Sequence, residues 1–198
     1  MSQFIPTIKK EDINLLPLAS FSGQVIVIDT PEQLDEALVV LNSQKMVGFD
    51  TETKPVFAKG KKNKVALLQI ATIDICYLIR MNLLGLTPQM IAFFNNPEIL
   101  KIGLSIKDDF MMLRARSESF NPQGFIELQS YVKTFGIEDN SLQKIFAIIF
   151  EKKISKSQRL SNWETESLSS GQQHYAALDA WACLCIYQAL LRVSETEF

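Results

Sequence analysis

Three groups of side chains in this chain have types and spacings that could do chemistry. Asp50 and Glu52 close the apolar run that starts at Met46. In an extended strand, residues two apart lie on one face, so both carboxylates would point the same way. Two acids side by side repel unless something binds them, and a divalent cation is the natural partner. Solvated acids at a strand end are the plainer alternative. Asp108 and Asp109 follow the apolar run Ile99–Leu104 and open a helical pattern. Acids in a first helical turn are favoured by the helix dipole alone. Leu113, however, stands at i+4 from Asp109, which makes Asp109 the inward acid; Asp108 is turned away by about a hundred degrees. Tyr175 and Asp179 are i, i+4 neighbours in the apolar stretch Tyr175–Leu191. An acid buried there needs a partner, and the tyrosine hydroxyl is one choice.

Other chemistries are poorly supplied. His174 is the one histidine, and Cys76, Cys183 and Cys185 are scattered, so no zinc-type cluster of histidine and cysteine can be drawn. Triad or Cys-His catalysis would depend on that one imidazole. Metal chemistry must fall mainly on carboxylates, which favour Mg²⁺ or Mn²⁺. Three cysteines do not make a disulfide framework and point to a reducing compartment.

The elements that must position these groups are legible in outline. Val25–Ile28 reads as a strand. Thr30, Pro31 and Gln33 form a helix start with a capping box, and Leu34, Ala37, Leu38 and Leu41 line one face of the helix that follows. Met46–Thr51, Val65–Ala71 and Ile75–Ile79 read as strands joined by short links, and the basic turn Lys59–Lys64 lies between the first two. Thr87–Phe94 is helical, Ile99–Leu104 a strand, and Ile106–Leu113 a helix start. From Leu128 the pattern is mostly helical, with Leu142–Phe150 and Gln172–Leu191 the clearest segments. Ser169 and Gln172 form a second capping box ahead of Tyr175. Strands first, helices packed on them and a strand interleaved imply an α/β fold with a mixed sheet. The expected organisation is an extended arm over residues 1–23 and one domain over 24–198.

Composition limits the classes. The chain has 198 residues, 22 acids against 20 bases, a net charge of -2 and 47% hydrophobic residues. It is neither disordered nor a basic nucleic-acid tail. The N-terminus has no apolar core of a secretory signal, and Asp179 inside Tyr175–Leu191 argues for a buried core helix over a membrane span. The expectation is a cytoplasmic protein with no membrane partner.

Taken in order, a strand-end Asp-x-Glu, a helix-start Asp and a late-helix Tyr-x-x-x-Asp resemble the three motifs of the DEDD exonuclease superfamily. The chain is most similar to its tyrosine subclass, the RNase D-like enzymes and the Werner-syndrome helicase exonuclease domain. Gly48–Glu52 resembles the first motif and Lys64–Ile70 the strand after it. Lys101–Gly103 through Asp109 and Leu113 resembles the second. Trp163, Leu168, Gln172, Tyr175, Ala176, Ala177, Asp179 and Ala180 fit the third. The likeness spans Val25 to Leu191. His174 stands five residues before Asp179, where the histidine subclass places its base; Tyr175 stands four before, where the tyrosine subclass places its tyrosine. On a helix i−4 shares the face of i and i−5 does not, which favours Tyr175.

The resemblance implies a ribonuclease H-like mixed sheet flanked by helices. It implies a 3'-5' exonuclease that acts on DNA or RNA 3' ends with two ions, Mg²⁺ or Mn²⁺, and releases nucleoside 5'-monophosphates. Asp50 would bridge the ions, Glu52 and Asp179 would complete one site, Asp109 would hold the second through water, and Tyr175 would orient the attacking water. Two ions about 3.5–4 Å apart can clamp both the entering and leaving oxygens of a phosphodiester. Candidate nucleic-acid contacts are Lys61, Lys62 and Lys64, with Lys59 beside them, and Phe110, Met112 and Trp163; the plainer alternatives are solvated surface charge for the lysines, core positions for two of Phe110, Met111 and Met112, and packing for Trp163. Lys152, Lys153, Lys156 and Arg159 form a second basic group. The alternative is a catalytically silent nucleic-acid-binding or scaffold module of the same fold; retention of Asp50, Glu52, Asp109, Tyr175 and Asp179 argues against it.

Overall fold

The computed structural model describes residues 4–56 and 63–196. A six-stranded mixed sheet forms its centre. Its strands are β1 (Gln24–Ile28), β2 (Met46–Thr53), β3 (Val65–Ala71), β4 (Ile75–Arg80), β5 (Leu100–Gly103) and β6 (Phe125–Glu127). The spatial order is β1-β4-β3-β2-β5-β6. The meander β2, β3, β4 is antiparallel; β1 runs parallel to β4, and β5 parallel to both β2 and β6. This is the α/β mixed sheet flanked by helices that the residue pattern implied.

The longer helices form where the patterning placed them; the one-turn helices after β4 and β6 were not read individually. In α2 (Pro31–Asn42), Thr30 and Gln33 make the reciprocal capping box, and Leu34, Ala37, Leu38 and Leu41 are buried. Two one-turn or two-turn helices, α3 (Met81–Leu84) and α4 (Pro88–Asn95), follow β4, and α5 (Ile106–Arg114) follows β5. Beyond β6 come α6 (Leu128–Tyr131), a 3₁₀ turn (Val132–Phe135), α7 (Leu142–Phe150) and the long α8 (Ser170–Thr196). Ser169 and Gln172 cap α8 reciprocally, Ser169 N–H to Gln172 Oε1 at 3.0 Å and Gln172 N–H to Ser169 Oγ at 3.2 Å. α8 is long and apolar enough to cross a membrane by length and composition. Here it lies over the sheet, with Ala176, Ala177, Ala180, Ala182, Cys183, Leu184 and Ile186 buried.

The sheet separates two apolar clusters. One is built from α8, α7 and one face of β3 and β4, the other from α2, α4, α5 and the opposite face. Burial on both faces explains why Val65–Ala71 reads as an apolar run interrupted only by Gln69, which is buried with the rest.

Two expectations need correction. Residues 4–23 are not wholly extended: they hold α1 (Lys10–Leu15), and Phe21 is inserted in the core. β6 was not read from the sequence, because three residues are too few for an alternating pattern to show. Of the basic turn between β2 and β3, Lys59, Lys61 and Lys62 lie outside the described residues; Lys64 is exposed at the start of β3.

Candidate active site

One close approach assembles the site. Gly48 of β2 faces α8, and a Cβ at Gly48 would sit 1.9 Å from the carbonyl oxygen of Ala180. Only a glycine lets the helix backbone come this near the strand. Gly48, Asp50 and Glu52 alternate onto the same face of β2, so seating Ala180 on Gly48 delivers Asp179 to Asp50 and Glu52. Asp50, Glu52 and Asp179 each offer a carboxylate oxygen, and these oxygens lie within 4.8 Å of one another.

Asp109 is the fourth acid. It is buried in the first turn of α5, while Asp108 is exposed, as the helix geometry required. It stands outside the tight trio and accepts a short hydrogen bond from Thr51 Oγ1. Thr51 thus ties α5 to the strand that carries Asp50 and Glu52. Glu127, at the end of β6, fixes the start of α5. Its carboxylate accepts from the N–H groups of Ser105 (3.0 Å), Ile106 (2.9 Å) and Gln129 (3.0 Å). Ser105 sits in the left-handed region, φ 62°, where the chain turns sharply from β5 into α5. A carboxylate on helix N-terminal N–H groups is favoured by their partial positive charge.

The electrostatics follow from this crowding. Burial, reinforced by Asp179, Asp109 and Glu52, holds the Asp50 carboxyl well above its ordinary value. Burial, then Asp179 and Asp109, pushes Glu52 to about 8, with Arg159 opposing. Burial pushes Asp179 to about 7 against the hydrogen bond from Tyr175, and Asp109 to about 6 against that from Thr51. Tyr175 is raised above the ordinary phenol, by burial first and then by Asp179 and Glu52. Asp179 Oδ1 is buried with no hydrogen-bond partner. A buried oxygen left unpaired among carboxylates that cannot all ionise together is costly. A hard divalent cation would satisfy both, so the donor set fits Mg²⁺ or Mn²⁺.

The trio opens into a cleft of about 400 Å³ that Ser105, Asn140, Ser141, Lys156, Arg159 and Tyr175 also line. His174 is exposed, its Nδ1 2.7 Å from the Ser170 carbonyl, and does not line this cleft. Arg80, at the end of β4, is buried; it donates to the carbonyls of Thr165 and Glu166 and so secures the loop that leads into α8.

The candidate base contacts fare differently. Trp163 is fully buried, its ring 6.1 Å from that of Tyr175, so it packs behind the tyrosine and offers no face to a base. Phe110 is half-buried and packs edge-on against Phe125 at 4.7 Å and Phe120 at 6.0 Å. Met112 lines a separate groove with Lys54, Asn63 and Met111. Lys156 and Arg159 are the described cations that reach the cleft.

Gly48, Thr51 and Gln69 stood within the motif stretches read from the sequence but had no role of their own there, and Glu127 was not read at all. Gln69 pairs across the strands with Asp50, is fully buried, and has neither amide atom hydrogen-bonded. A polar residue in an apolar strand next to a motif acid is a signal that could have found it. Glu127 carries no such signal, because a lone acid after two apolar residues is common.

A mixed sheet crossed by a helix that closes a carboxylate cluster defines an α/β protein with a candidate metal site built from acids. The profile of the 3'-5' exonuclease family matches residues 25–195, and the chain belongs to that family. It is 30% identical over 191 residues to the bifunctional 3'-5' exonuclease/ATP-dependent helicase WRN of Mus musculus, with 91% of this chain and 14% of that protein covered. It is 30% identical over 192 residues to the exonuclease mut-7 homolog of Aedes aegypti, with 85% of this chain and 26% of that protein covered. The chain therefore spans only a small part of the length of these relatives. Among solved structures, the Nibbler EXO domain of Aedes aegypti superposes with a TM-score of 0.77 at 28% identity, covering 88% of this chain and 91% of that one. Escherichia coli RNase D shares the fold at 20% identity and a TM-score of 0.76, covering 87% of this chain and 46% of that one.

Proposed function

We propose that this chain hydrolyses phosphodiester bonds of DNA or RNA one nucleotide at a time from the 3' end and releases nucleoside 5'-monophosphates. The observation that carries this reading is the trio Asp50, Glu52 and Asp179, drawn within 4.8 Å at an open cleft with Asp179 Oδ1 unpartnered. Asp50, Glu52 and Asp179 would hold a divalent ion, Mg²⁺ or Mn²⁺, and Asp109 would serve a second. When bound, such ions lower the pKa of a water and offset the charge that develops on the leaving oxygen. In the reaction the water oxygen bonds to phosphorus and gives up a proton to solvent, the bond from phosphorus to the 3' oxygen breaks, and that oxygen takes up a proton from solvent.

The protein's own groups orient and select. Tyr175 keeps its proton at every physiological pH, because burial and the neighbouring acids raise its pKa. It therefore acts as a hydrogen-bond donor that orients a water or a phosphate oxygen, not as a base. Lys156 and Arg159 bring positive charge into the cleft that holds the acids, where they would meet a phosphate backbone. All five family side chains are present, so nothing favours the silent binding module.

The test is digestion of matched 5'-labelled DNA and RNA oligonucleotides with Mn²⁺ or Mg²⁺, and with EDTA as control. Stepwise shortening with either substrate and ion, abolished by EDTA and by Asp50→Asn, is the expected result. Undiminished digestion by Asp50→Asn would overturn the assignment.

A further inference from the structure

The family profile begins at residue 25, yet an ordered segment precedes it and is tied to the catalytic cleft. We propose that residues 6–19 form a strap that positions the cleft's basic rim and so sets the affinity for the 3' end; this rests on the nuclease reading.

The rim consists of two irregular segments. One, ahead of α7, carries Asn140 and Ser141; the other, between α7 and α8, carries Lys156 and Arg159. The strap holds both. Glu138 N–H donates to the Pro6 carbonyl at 2.8 Å, and Ile8 N–H donates to the Asp139 carboxylate at 2.9 Å. Further along, Lys153 N–H donates to the Pro17 carbonyl at 2.9 Å, and Ala19 N–H donates to the Lys153 carbonyl at 2.9 Å, closing a parallel bridge between Leu18 and Lys153. The Lys153 ammonium donates to the Asn14 carbonyl at 2.6 Å. Lys153 is thereby a structural link, leaving Lys156 and Arg159 for phosphate.

Packing does not explain the strap. α1 buries none of its residues, and Leu15 and Leu18 are 85% and 65% exposed. The apolar anchors stand at its two ends: Phe4 before it, and Ala19 with Phe21 at and beyond its end, the Phe21 ring 5.8 Å from Trp181 of α8. Between those anchors, the connection to the rim is made by hydrogen bonds. Buried Ile154 and Trp163 and the Arg80 bonds to the Thr165 and Glu166 carbonyls anchor the segment between α7 and α8 on either side of Lys156 and Arg159; among the described residues its one β-bridge is to the strap. Loosening it would let Lys156 and Arg159 wander without moving the carboxylates, which sit on the sheet and on α8.

The experiment replaces two donors in the full chain, Ile8→Pro with Ala19→Pro, leaving every cleft side chain in place. In the metal-free protein, amide hydrogen exchange over residues 138–143 and 153–159 should quicken about tenfold, while β2–β4 stays protected. With a single-stranded oligonucleotide, KM should rise about fivefold or more and kcat change less than about twofold. Unchanged exchange would overturn the proposal, as would faster exchange with unchanged KM and unchanged oligonucleotide binding. If the double variant does not fold, Lys153→Met removes only the ammonium link, and exchange over 153–159 that stays at the wild-type rate overturns it. A wild-type chain that cuts nothing would refute the nuclease reading alone; exchange and oligonucleotide binding would still decide the strap.

Discussion

Gly48→Ala tests how the site is assembled. The added Cβ would lie 1.9 Å from the Ala180 carbonyl oxygen and 2.8 Å from its carbon. An ordinary carbon–oxygen contact is about 3.3 Å or longer, so α8 must retreat by about 1.4 Å or the strand must bend as far. Both neighbours are backbone, which no rotamer change relieves. Overpacking of this kind costs about 1–3 kcal/mol. At about 2 kcal/mol, a chain of this length should lose about 4–8 °C of melting temperature. The same retreat withdraws Asp179 from Asp50 and Glu52, and a misplacement of about 1 Å can cost about a hundredfold in rate. Differential scanning fluorimetry and oligonucleotide digestion read the two effects. Gly171→Ala is the control: its Cβ would meet the Gln158 amide nitrogen at 3.3 Å, and a first-turn helical glycine replaced by alanine should gain up to about 1 kcal/mol. A Gly48→Ala protein with wild-type melting and wild-type kcat/KM would refute the argument that this contact builds the site.

Further outcomes follow from the charges and the caps. Without metal, the folded carboxyls hold protons that the unfolded chain, titrating near 4, has released. With Asp109 at about 6, Asp179 at about 7 and Glu52 at about 8, stability should fall as pH rises from about 4 to about 8. In EDTA the melting temperature should be higher at pH 5 than at pH 8; Mn²⁺ should restore it at pH 8, and a flat EDTA profile would contradict the crowding. Tyr175→Phe should lower kcat about tenfold or more without removing a limb of the pH profile, while His174→Ala should stay within about twofold; the reverse ranking would make the histidine the functional group. Glu127→Ala strands the N–H groups of Ser105, Ile106 and Gln129, and should cost about 2–4 kcal/mol in chemical unfolding, against little for a substitution at exposed Asp108.

Most of the fold was readable because its signals are local. The capping boxes at Thr30–Gln33 and Ser169–Gln172 formed as the side chains dictated. Period-2 geometry put Asp50 and Glu52 on one face, and i, i+4 geometry put Asp179 on that of Tyr175; that the three acids meet in one site was implied by the resemblance to the exonuclease motifs and is what the structure shows. What escaped depends on tertiary approach. Gly48 reads as any strand glycine until α8 lies on it, and Glu127 gains meaning only beside the turn at Ser105; for Trp163, burial behind Tyr175 decides for packing, the plainer of its two readings. Residues 4–23 show no apolar periodicity, because hydrogen bonds to distant loops, not packing, hold most of their length.

The central claim is that this carboxylate cleft removes nucleotides from a 3' end. Chromatography of the products released over time from a 3'-labelled oligonucleotide with Mn²⁺ tests it most directly. The account predicts that labelled nucleoside 5'-monophosphate appears first and without a lag, and that Asp50→Asn releases none. Labelled fragments longer than one nucleotide, a label freed only at the end of digestion, or equal release by Asp50→Asn would contradict it.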